Sequence, residues 1–415
     1  GHDEAPVALR LHTLRCLIAL MTGDLATAAE RIAAHEALVE RTSAVDPLER
    51  LMDTLRPRVM LAFGDVGQAR HWLRRAKSPQ GPNYVLTVIV PALEAWLELA
   101  QGHLARATKL ALAACNWAES HDLRPHHGAL EGLVTAAWCH IGAGELAAAE
   151  EMVEAARLDA DLLGWNWDLF RAGLVAIELR RLRSGPVPAL TLVGDLRRTL
   201  AAEPHSYFAA QLDQAEATAL VAANRGDEAR AVVDSLPDEP RRRLLLAQLL
   251  GPGSPPGEVA TLLARRNSWP VPLRLEAEVV LGAREASAAS AGQLSAALAD
   301  GAESGWVSPF LGHGGSIEQQ LRRLPVRQLH PQLAATWDAQ TTKKPVPKAG
   351  NWPNLTDRER SVLELLPTHL SYAQIGKELY LSVNTVKSAL KVLYRKLDAG
   401  TRNEAVDVAR AAGLL

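Results

Sequence analysis

The chain is poor in aromatic residues, which form 5% of its 415 residues, and its β-branched residues rarely occur in runs. Strands favour such runs, whereas the abundant alanine and leucine favour helices. No segment reaches the roughly 20 uncharged apolar residues that a membrane span needs, and no secretory signal is evident. We therefore predict an all-α, multi-domain, cytoplasmic protein with no membrane partner.

Cysteines are few and odd in number. Cys16, Cys115 and Cys139 all lie within helical patterns. A disulfide framework is typical of an even set in an oxidising compartment, so we interpret these residues as buried thiols in a reducing cytosol.

Catalytic and metal-binding signatures are equally scarce. No Ser/His/Asp set or pair of carboxylates stands out from the helical background, so we predict no enzyme and no cofactor. His121, His126 and His127 share one loop, but no cysteine at ligand spacing accompanies them. A solvated loop is therefore favoured over a metal site.

Glycine recurs with a nearly constant period through the first half of the chain. Intervals of 38 to 42 residues separate Gly23, Gly64, Gly102, Gly144, Gly185 and Gly226. An alanine follows each of them, at Ala28, Ala69, Ala107, Ala149, Ala189 and Ala229. We interpret each repeat as a helix pair in which glycine ends the first helix and alanine lets the second helix pack closely. Stacked pairs predict a tetratricopeptide-like superhelix, with a period above the usual value of about 34 residues. Spurious periodicity in alanine-rich helices is the alternative.

The end of the chain predicts a compact four-helix domain. Thr356 and Glu359 form a capping-box pattern, and Pro367 should end the first helix. The second helix should be capped by Ser371 and turn Tyr372, Ile375, Leu379 and Tyr380 inward. The third should be capped by Ser382 and run from Val383 to about Leu397, and the fourth should run from Arg402 to about Ala412.

The third helix divides into an apolar and a polar face. Val386, Leu390, Leu393 and Leu397 should point inward, which leaves Lys387, Ser388 and Lys391 outside. Lysines four residues apart share one helical face, and lysine can donate to guanine O6 and N7. This pattern is typical of a helix that reads double-stranded DNA, although a solvated basic face is the alternative. Contacts to the DNA backbone are expected from Thr356, Ser382, Asn384, Thr385 and Arg395.

These positions resemble the DNA-binding domain of LuxR-type transcription factors over residues 354–415. The matching motifs are Leu355-Thr-x-Arg-Glu, Ser371 with Ile375, Ser382-x-x-Thr385-Val386-Lys387-Ser388, Lys396-Leu397, Arg402 and Ala405-Val406. The resemblance implies that Lys387, Ser388 and Lys391 read bases and that the last helix pairs two copies into a homodimer on DNA. Ala389 replaces the usual histidine, which should cost a backbone contact. Gly376 replaces a small alanine and should weaken its helix by about 1 kcal/mol.

The repeats resemble the sensor of large LuxR-type regulators related to the maltose-regulon activator, ending in the segment 305–315. This implies an inducer or regulatory protein as partner, RNA polymerase as a further partner, and activation as the usual outcome. The phosphate-binding loop G-x-x-x-x-G-K-[ST] is missing, so the nucleotide-binding domain of that group is expected to be absent. A fragment and a naturally short protein remain alternatives. We predict a sensor at 1–338, a proline- and lysine-rich linker at 339–353 and a DNA-binding domain at 354–415.

A ligand would bind on the concave face of the superhelix, which the first helix of each pair should line. Aromatic residues beside polar ones could hold a sugar ring or a flat metabolite, and the candidates are Trp165, Trp167, Arg171, Tyr207 and Gln211. Ordinary packing of the tryptophans between helices is the alternative. A different class of function is a tetratricopeptide-like scaffold that binds another protein and for which DNA binding is secondary. A deep aromatic pocket would favour the metabolite, and a long shallow groove would favour the scaffold.

Overall fold

The structure, a computed structural model, describes residues 4–42, 48–77, 84–201, 206–250, 254–284, 287–313, 315–341, 355–367, 370, 372–397, 399, 402–411 and 414–415. These residues form helices joined by turns, and none of them lies in a strand. They divide into two compact units, Gly1–Thr336 and Trp337–Leu415. The predicted all-α fold class is confirmed.

Helices α1 to α16 follow one another in packed pairs, beginning with α1 against α2 and α3 against α4. Two single-turn 3₁₀ helices, Arg266–Ser268 and Ser308–Phe310, occur among them. The α-helices are α1 (Glu4–Thr22), α2 (Leu25–Thr42), α3 (Glu49–Ala62), α4 (Val66–Ala76), α5 (Tyr84–Ala100), α6 (Leu104–Ser120), α7 (His127–Gly142), α8 (Leu146–Leu163), α9 (Asn166–Ser184), α10 (Pro186–Leu200), α11 (Tyr207–Ala222), α12 (Gly226–Ser235), α13 (Pro240–Leu249), α14 (Pro256–Leu262), α15 (Val271–Gly282), α16 (Ala288–Ser304), α17 (Gly315–Arg322), α18 (Val326–Leu329) and α19 (Pro331–Thr341).

The turn inside each of the first five pairs has the form that the glycine series predicts. Its glycine has a φ between +76° and +92°, a conformation that glycine adopts without a steric penalty. The six predicted alanines are all fully buried. In the sixth pair Asn224 takes the left-handed position with φ +57°, and Gly226 is instead the first residue of α12. The prediction for Gly226 is therefore wrong, because asparagine also tolerates this conformation.

Three of these glycine turns contact parts of the chain that lie much later in the sequence. A Cβ atom added at each glycine would come within 3 Å of a later side chain. The pairs are Gly23 with Phe208 (2.9 Å), Gly102 with Val271 (2.7 Å) and Gly144 with Val307 (2.6 Å). Only a residue without a side chain allows this close approach. We call each of these glycine turns a socket, because a side chain from a distant repeat packs against it.

Hydrogen bonds reinforce the same sockets. The Tyr207 amide donates to the Gly23 carbonyl at 2.9 Å, and the Trp306 indole donates to the Gly102 carbonyl at 3.1 Å. By contrast, a Cβ atom at Gly64 would meet no described atom within 4 Å. The same holds for Gly185, so among the described residues nothing fills the sockets at Gly64 and Gly185.

The second unit contains α20 (Asp357–Leu365), α21 (Tyr372–Glu378), α22 (Val383–Leu397) and α23 (Arg402–Ala411). These helices surround an apolar core, to which α22 contributes the four residues predicted to point inward. The expected cap Ser371 and residues 342–354 of the expected linker lie outside the described residues. Residues 339–341 belong to α19 and are helical.

Among the described residues, α1 alone has the length and mean hydropathy (1.2) of a membrane span, although no span is predicted from the sequence. In the fold α1 packs against α2, α3 and α9, and its inner face is buried, as in the core helix of a repeat. Its outer face is exposed at Val7, Leu11, Leu14 and Ile18. Length and composition do not separate these two kinds of helix, so the absence of a membrane partner stays a prediction.

All three cysteine thiols are buried and free, and burial raises the pKa of each to about 12. Because the thiolate is the reactive form, we expect the folded protein to resist Ellman's reagent at mildly alkaline pH. All three thiols should react once guanidinium unfolds the chain. Rapid reaction of any thiol in the folded protein would contradict this assignment.

Candidate DNA interface and ligand cavity

The predicted capping box at the start of α20 is present. The Thr356 amide donates to Glu359 Oε2 at 2.7 Å, and the Glu359 amide donates to Thr356 Oγ1 at 3.3 Å. The same carboxylate accepts a bond from Lys396 Nζ of α22 at 2.6 Å. Burial disfavours the charged form of Glu359, but the bonds from Lys396 and Thr356 outweigh it and hold the pKa of this carboxyl below its ordinary value. One glutamate thus joins the first and third helices of the domain.

Helix α22 begins at a serine cap. The Thr385 amide donates to Ser382 Oγ at 3.1 Å, and the two hydroxyl oxygens lie 2.8 Å apart. Farther along the helix, the Tyr394 hydroxyl lies 3.3 Å from that of Tyr372 on α21. These contacts fix how α22 begins and how it lies against the preceding helix.

The outward face of α22 carries the residues predicted to read bases. Lys387, Ser388 and Lys391 are all exposed, while Val386 and Leu390 between them are buried. Among the expected backbone contacts, Thr356, Ser382 and Arg395 are exposed and Thr385 is half-buried; Asn384 lies on α22, and its side chain is outside the described set. The sequence pattern therefore brings the three base-reading candidates to one accessible surface.

The turn between α21 and α22 differs from expectation in two ways. A Cβ atom on Gly376 would lie 2.7 Å from the Leu381 carbonyl oxygen, so this glycine permits a closer turn than helix propensity alone suggests. Tyr380, predicted to point inward, is 95% exposed and has φ +55°. The prediction for Tyr380 is wrong because the helix ends at Glu378, which removes this residue from the helical register.

A second feature lies in the helical-repeat unit, where the first helices of several pairs line a cavity of about 1150 Å³. Its walls include residues of α3, α5, α7, α9 and α11. Of the five residues predicted to bind a ligand, three line the cavity: Arg171, Tyr207 and Gln211. Burial raises the pKa of Tyr207 to about 12, so its phenol is neutral.

The other two candidates lie among their neighbours and not on the described lining. The ring of Trp165 lies 4.0 Å from that of His127, measured between centroids. Trp167 is 3% exposed and packs among other aromatic rings, including Phe170 and Phe208. The alternative stated for these tryptophans, packing between helices, fits both positions.

Arg171 is one of the charged residues that line the cavity. Its Nη2 donates to Glu131 Oε1 at 2.8 Å, and its guanidinium carbon lies 3.7 Å from the centroid of the Trp96 ring. Arg58 Nε lies 3.6 Å from the other oxygen of Glu131. Among the described residues, no other carboxylate pairs with either arginine. Two cations therefore share one anion. Three buried atoms of this group have no hydrogen-bond partner: Arg171 Nε, Thr135 Oγ1 and Glu131 Oε2.

Many of the cavity residues were not predicted from the sequence, and Trp96, Thr135 and Trp138 are among them. The two tryptophans share a register that could have revealed them, since each precedes a glycine of the repeat series, Gly102 or Gly144, by six residues. Thr135 carries no comparable signal, because its role depends on burial against helices from other repeats.

The histidines of the predicted loop have separate protein partners. His126 Nδ1 accepts a bond from the Gly128 amide at 3.0 Å and caps α7, and burial lowers the pKa of His126. His127 Nδ1 lies 2.5 Å from Asp168 Oδ2, and His121 stacks on Trp117. Within the described part of the chain, no group of three metal-ligating side chains is brought together.

A buried helical core, a capped turn and an exposed lysine-bearing helix together define a helix-turn-helix DNA-binding domain. Residues 353–409 match the family model of bacterial regulatory proteins, luxR family. The resemblance predicted for this domain is therefore confirmed, and the matched family consists of transcriptional regulators and not of enzymes. Residues 353–409 are therefore similar to the DNA-binding domain of LuxR-type regulators.

The chain is also similar to the HTH-type transcriptional regulator MalT of Serratia proteamaculans (strain 568), with 27% identity over 208 residues. The alignment covers 44% of this chain and 21% of that relative, so the chain matches about a fifth of its length. The predicted relation to the large helical-repeat regulators of LuxR type is thereby confirmed.

Proposed function

We propose that this protein controls transcription in response to a small molecule that binds in the cavity of its helical-repeat unit. In this proposal Lys387, Ser388 and Lys391 read bases in the major groove. The observation that carries it is their common exposure on a helix whose other face is buried. The cavity, with its aromatic and polar walls, supports the sensing role. A regulator of this kind acts in the cytoplasm.

Two copies bind DNA together in this proposal. One short helix contacts few base pairs, so a single domain would bind weakly and with a strong dependence on salt. Paired domains instead read half-sites about one helical turn apart. The phosphate contacts are assigned to Thr356, Ser382, Asn384, Thr385 and Arg395. By its likeness to LuxR-type regulators, the protein is assigned as an activator that contacts RNA polymerase.

A protein-interaction scaffold is the second candidate, and one observation favours it. The outer face of α1 exposes an apolar stripe of Val7, Leu11, Leu14 and Ile18. Such a stripe at helical spacing is typical of a surface that another helix covers. The cavity, which helices of several repeats line, still favours the small molecule, because a peptide would need a long shallow groove.

DNA binding by the full chain tests the base-reading residues. We expect Lys387→Ala or Lys391→Ala to weaken binding to a site selected from a duplex library by about tenfold or more, because a good base contact contributes about 1–3 kcal/mol of discrimination. Binding to scrambled DNA should weaken much less. Fluorescence anisotropy at two salt concentrations measures both affinities.

Lys377 on α21 provides the matched control, since it is an exposed lysine of the same domain that lies outside α22. Lys377→Ala should leave the ratio of specific to scrambled affinity unchanged. If the α22 variants lost equal affinity for both DNAs, the lysines would be phosphate contacts and the base-reading role would be wrong.

A further inference from the structure

Two glycines of the series, Gly64 and Gly185, have sockets that no described atom fills, and the cavity lies at the first of them. The sockets at Gly23, Gly102 and Gly144 receive a phenylalanine or a valine. Gly64 has the same left-handed backbone as Gly144, with φ +76° at both, yet its socket is open. Gly64 and its neighbour Phe63 line the cavity, and Phe63 is 52% exposed. This end of the cavity is therefore suited to an apolar group.

Arg171 and Thr135, on the cavity wall, call instead for a polar group on the ligand. Buried polar groups nearly always have hydrogen-bond partners, but Arg171 Nε and Thr135 Oγ1 have none. Both residues are more than nine-tenths buried. An arginine Nε–H can only donate, and a threonine hydroxyl can also donate. The third unpartnered atom, Glu131 Oε2, is an acceptor that already lies beside the Arg58 cation. A ligand that pairs with the two donors therefore supplies acceptor oxygens.

Charge selects among ligands with acceptor oxygens. Glu131 is shared between Arg58 and Arg171, so that cluster carries one excess positive charge. Elsewhere in the lining Arg241 pairs with Glu276 at 2.7 Å, so the excess charge lies at the cluster of Arg171 and not in the rest of the wall. Arginine pairs with carboxylates through charge-assisted hydrogen bonds. A single excess charge matches a monoanion.

The walls between these two ends are aromatic. Trp96, Trp138 and Tyr207 all line the cavity, and the Trp96 ring already stacks against the Arg171 guanidinium. Flat rings favour a flat or branched apolar body. The volume of about 1150 Å³ accommodates a small organic molecule together with water.

We infer that the ligand of this cavity is a small monocarboxylate with an apolar, preferably aromatic, body. Its carboxylate pairs with Arg171 and accepts from Thr135, and its apolar body lies against Trp96 and Trp138 towards the open socket at Gly64. The inference rests on the proposed function, because it names the ligand class for the proposed sensor. It also chooses between the two ligand bodies that the sequence left open, a sugar ring and a flat metabolite, in favour of the flat one.

The full chain can be titrated calorimetrically with three probes: phenylacetate, its neutral analogue phenylacetamide, and the neutral disaccharide trehalose. We expect phenylacetate to bind at least about tenfold more tightly than phenylacetamide, because hydrogen bonds to a charged partner are the stronger ones. Trehalose should not bind. Thr135→Val should weaken phenylacetate binding by about three- to tenfold.

Thr135→Val is the preferred variant because its hydroxyl has no partner to lose, so the fold should tolerate the change. Thr191→Val, an exposed position on α10, is the matched control and should bind phenylacetate like the unmodified chain. Arg171→Gln should also abolish the preference for the acid over the amide. A thermal melt of each variant checks that it is folded.

The remaining outcomes separate the ligand class from the proposed function. Binding of trehalose alone, or equal binding of acid and amide, would overturn the carboxylate assignment and leave small-molecule sensing in place. Failure of all three probes to bind would also overturn it. Anisotropy on the same samples tests the regulator itself: a chain that does not distinguish its selected site from scrambled DNA fails the proposed function, whatever the probes do.

Discussion

Replacing Gly144 with alanine should destabilise the helical-repeat unit far more than the same replacement at Gly64. Both glycines have φ +76°, so both variants should lose about 1–2 kcal/mol from the left-handed backbone. At Gly144 the new Cβ would also lie 2.5 Å from Thr336 Oγ1 and 2.6 Å from Val307 Cγ1. Relieving that overlap should cost a further 1–3 kcal/mol, on the order of other overpacked sites.

Urea denaturation followed by circular dichroism measures the two losses on the full chain. Gly64→Ala is the matched control, because its Cβ would meet no described atom within 4 Å. The difference between the variants therefore reports the socket and not the backbone. Equal losses at both positions would mean that the socket at Gly144 relaxes freely and contributes little to the stability of the superhelix.

Local features of the fold could be predicted from the sequence because each depends on residues close together in the chain. The glycine and alanine of a repeat lie five residues apart or fewer, and they specify one turn and one close helix contact. The capping box joins Thr356 to Glu359 within one helical turn. The limits of α22 follow in the same way from Ser382 and the spacing of its apolar residues.

The sockets and the cavity could not be predicted, because they join residues that are remote in sequence. Gly23 meets Phe208, and Gly102 meets Val271, only once several repeats have stacked with their particular curvature. The same holds for Thr135, whose lack of a partner is a property of the assembled wall. The prediction for Tyr380 was wrong for a different reason. Periodicity does not reveal that a helix ends two residues before this position.

The base-reading surface and the cavity therefore rest on different kinds of information. Lys387, Ser388 and Lys391 sit on one short helix, so spacing alone brings them together. Arg171, Tyr207 and Gln211 come from two helices. Neighbouring aromatic and polar residue types suggested them as ligand-binding candidates, and the structure places all three on the cavity lining. Trp165 and Trp167 satisfied the same criterion but lie in contacts between helices. The residue types near the start of a helix thus indicate where a site lies, but they do not indicate which side chains line it.

Arg56→Met should be among the most destabilising single changes in the helical-repeat unit. Arg56 is fully buried on α3 and pairs with Glu49 (2.9 Å) and Asp53 (3.0 Å) on its own helix, and with Glu36 on α2. Its guanidinium carbon lies 4.7 Å from the centroid of the Trp72 ring on α4. One side chain thereby joins three helices. Removing one member of a buried ion pair typically costs about 3–5 kcal/mol, because the remaining charges stay buried without compensation.

The stability lost in Arg56→Met should depend on pH, and the carboxylates around Arg56 determine the direction. Burial raises the pKa of Glu36, but His35 and Arg56 outweigh it, so the folded pKa lies below the ordinary value. A carboxyl with a lowered folded pKa contributes stability above its unfolded pKa and loses it as the pH falls through the folded value. The deficit of Arg56→Met should therefore be largest near neutral pH and shrink in acid, where the remaining carboxylates become neutral.

Arg230 supplies the matched control for this prediction. It pairs with Asp234 at 2.9 Å on an exposed face of α12, and exposed pairs of this kind contribute about 0–1 kcal/mol. Arg230→Met should therefore leave the urea midpoint nearly unchanged at every pH, while Arg56→Met lowers it most at neutral pH. If the two variants lost similar stability, or if the Arg56 deficit grew in acid, the buried charges would not be what holds α2, α3 and α4 together. Arg56 would then stabilise the fold mainly by packing beside Trp72. A methionine would keep most of that packing.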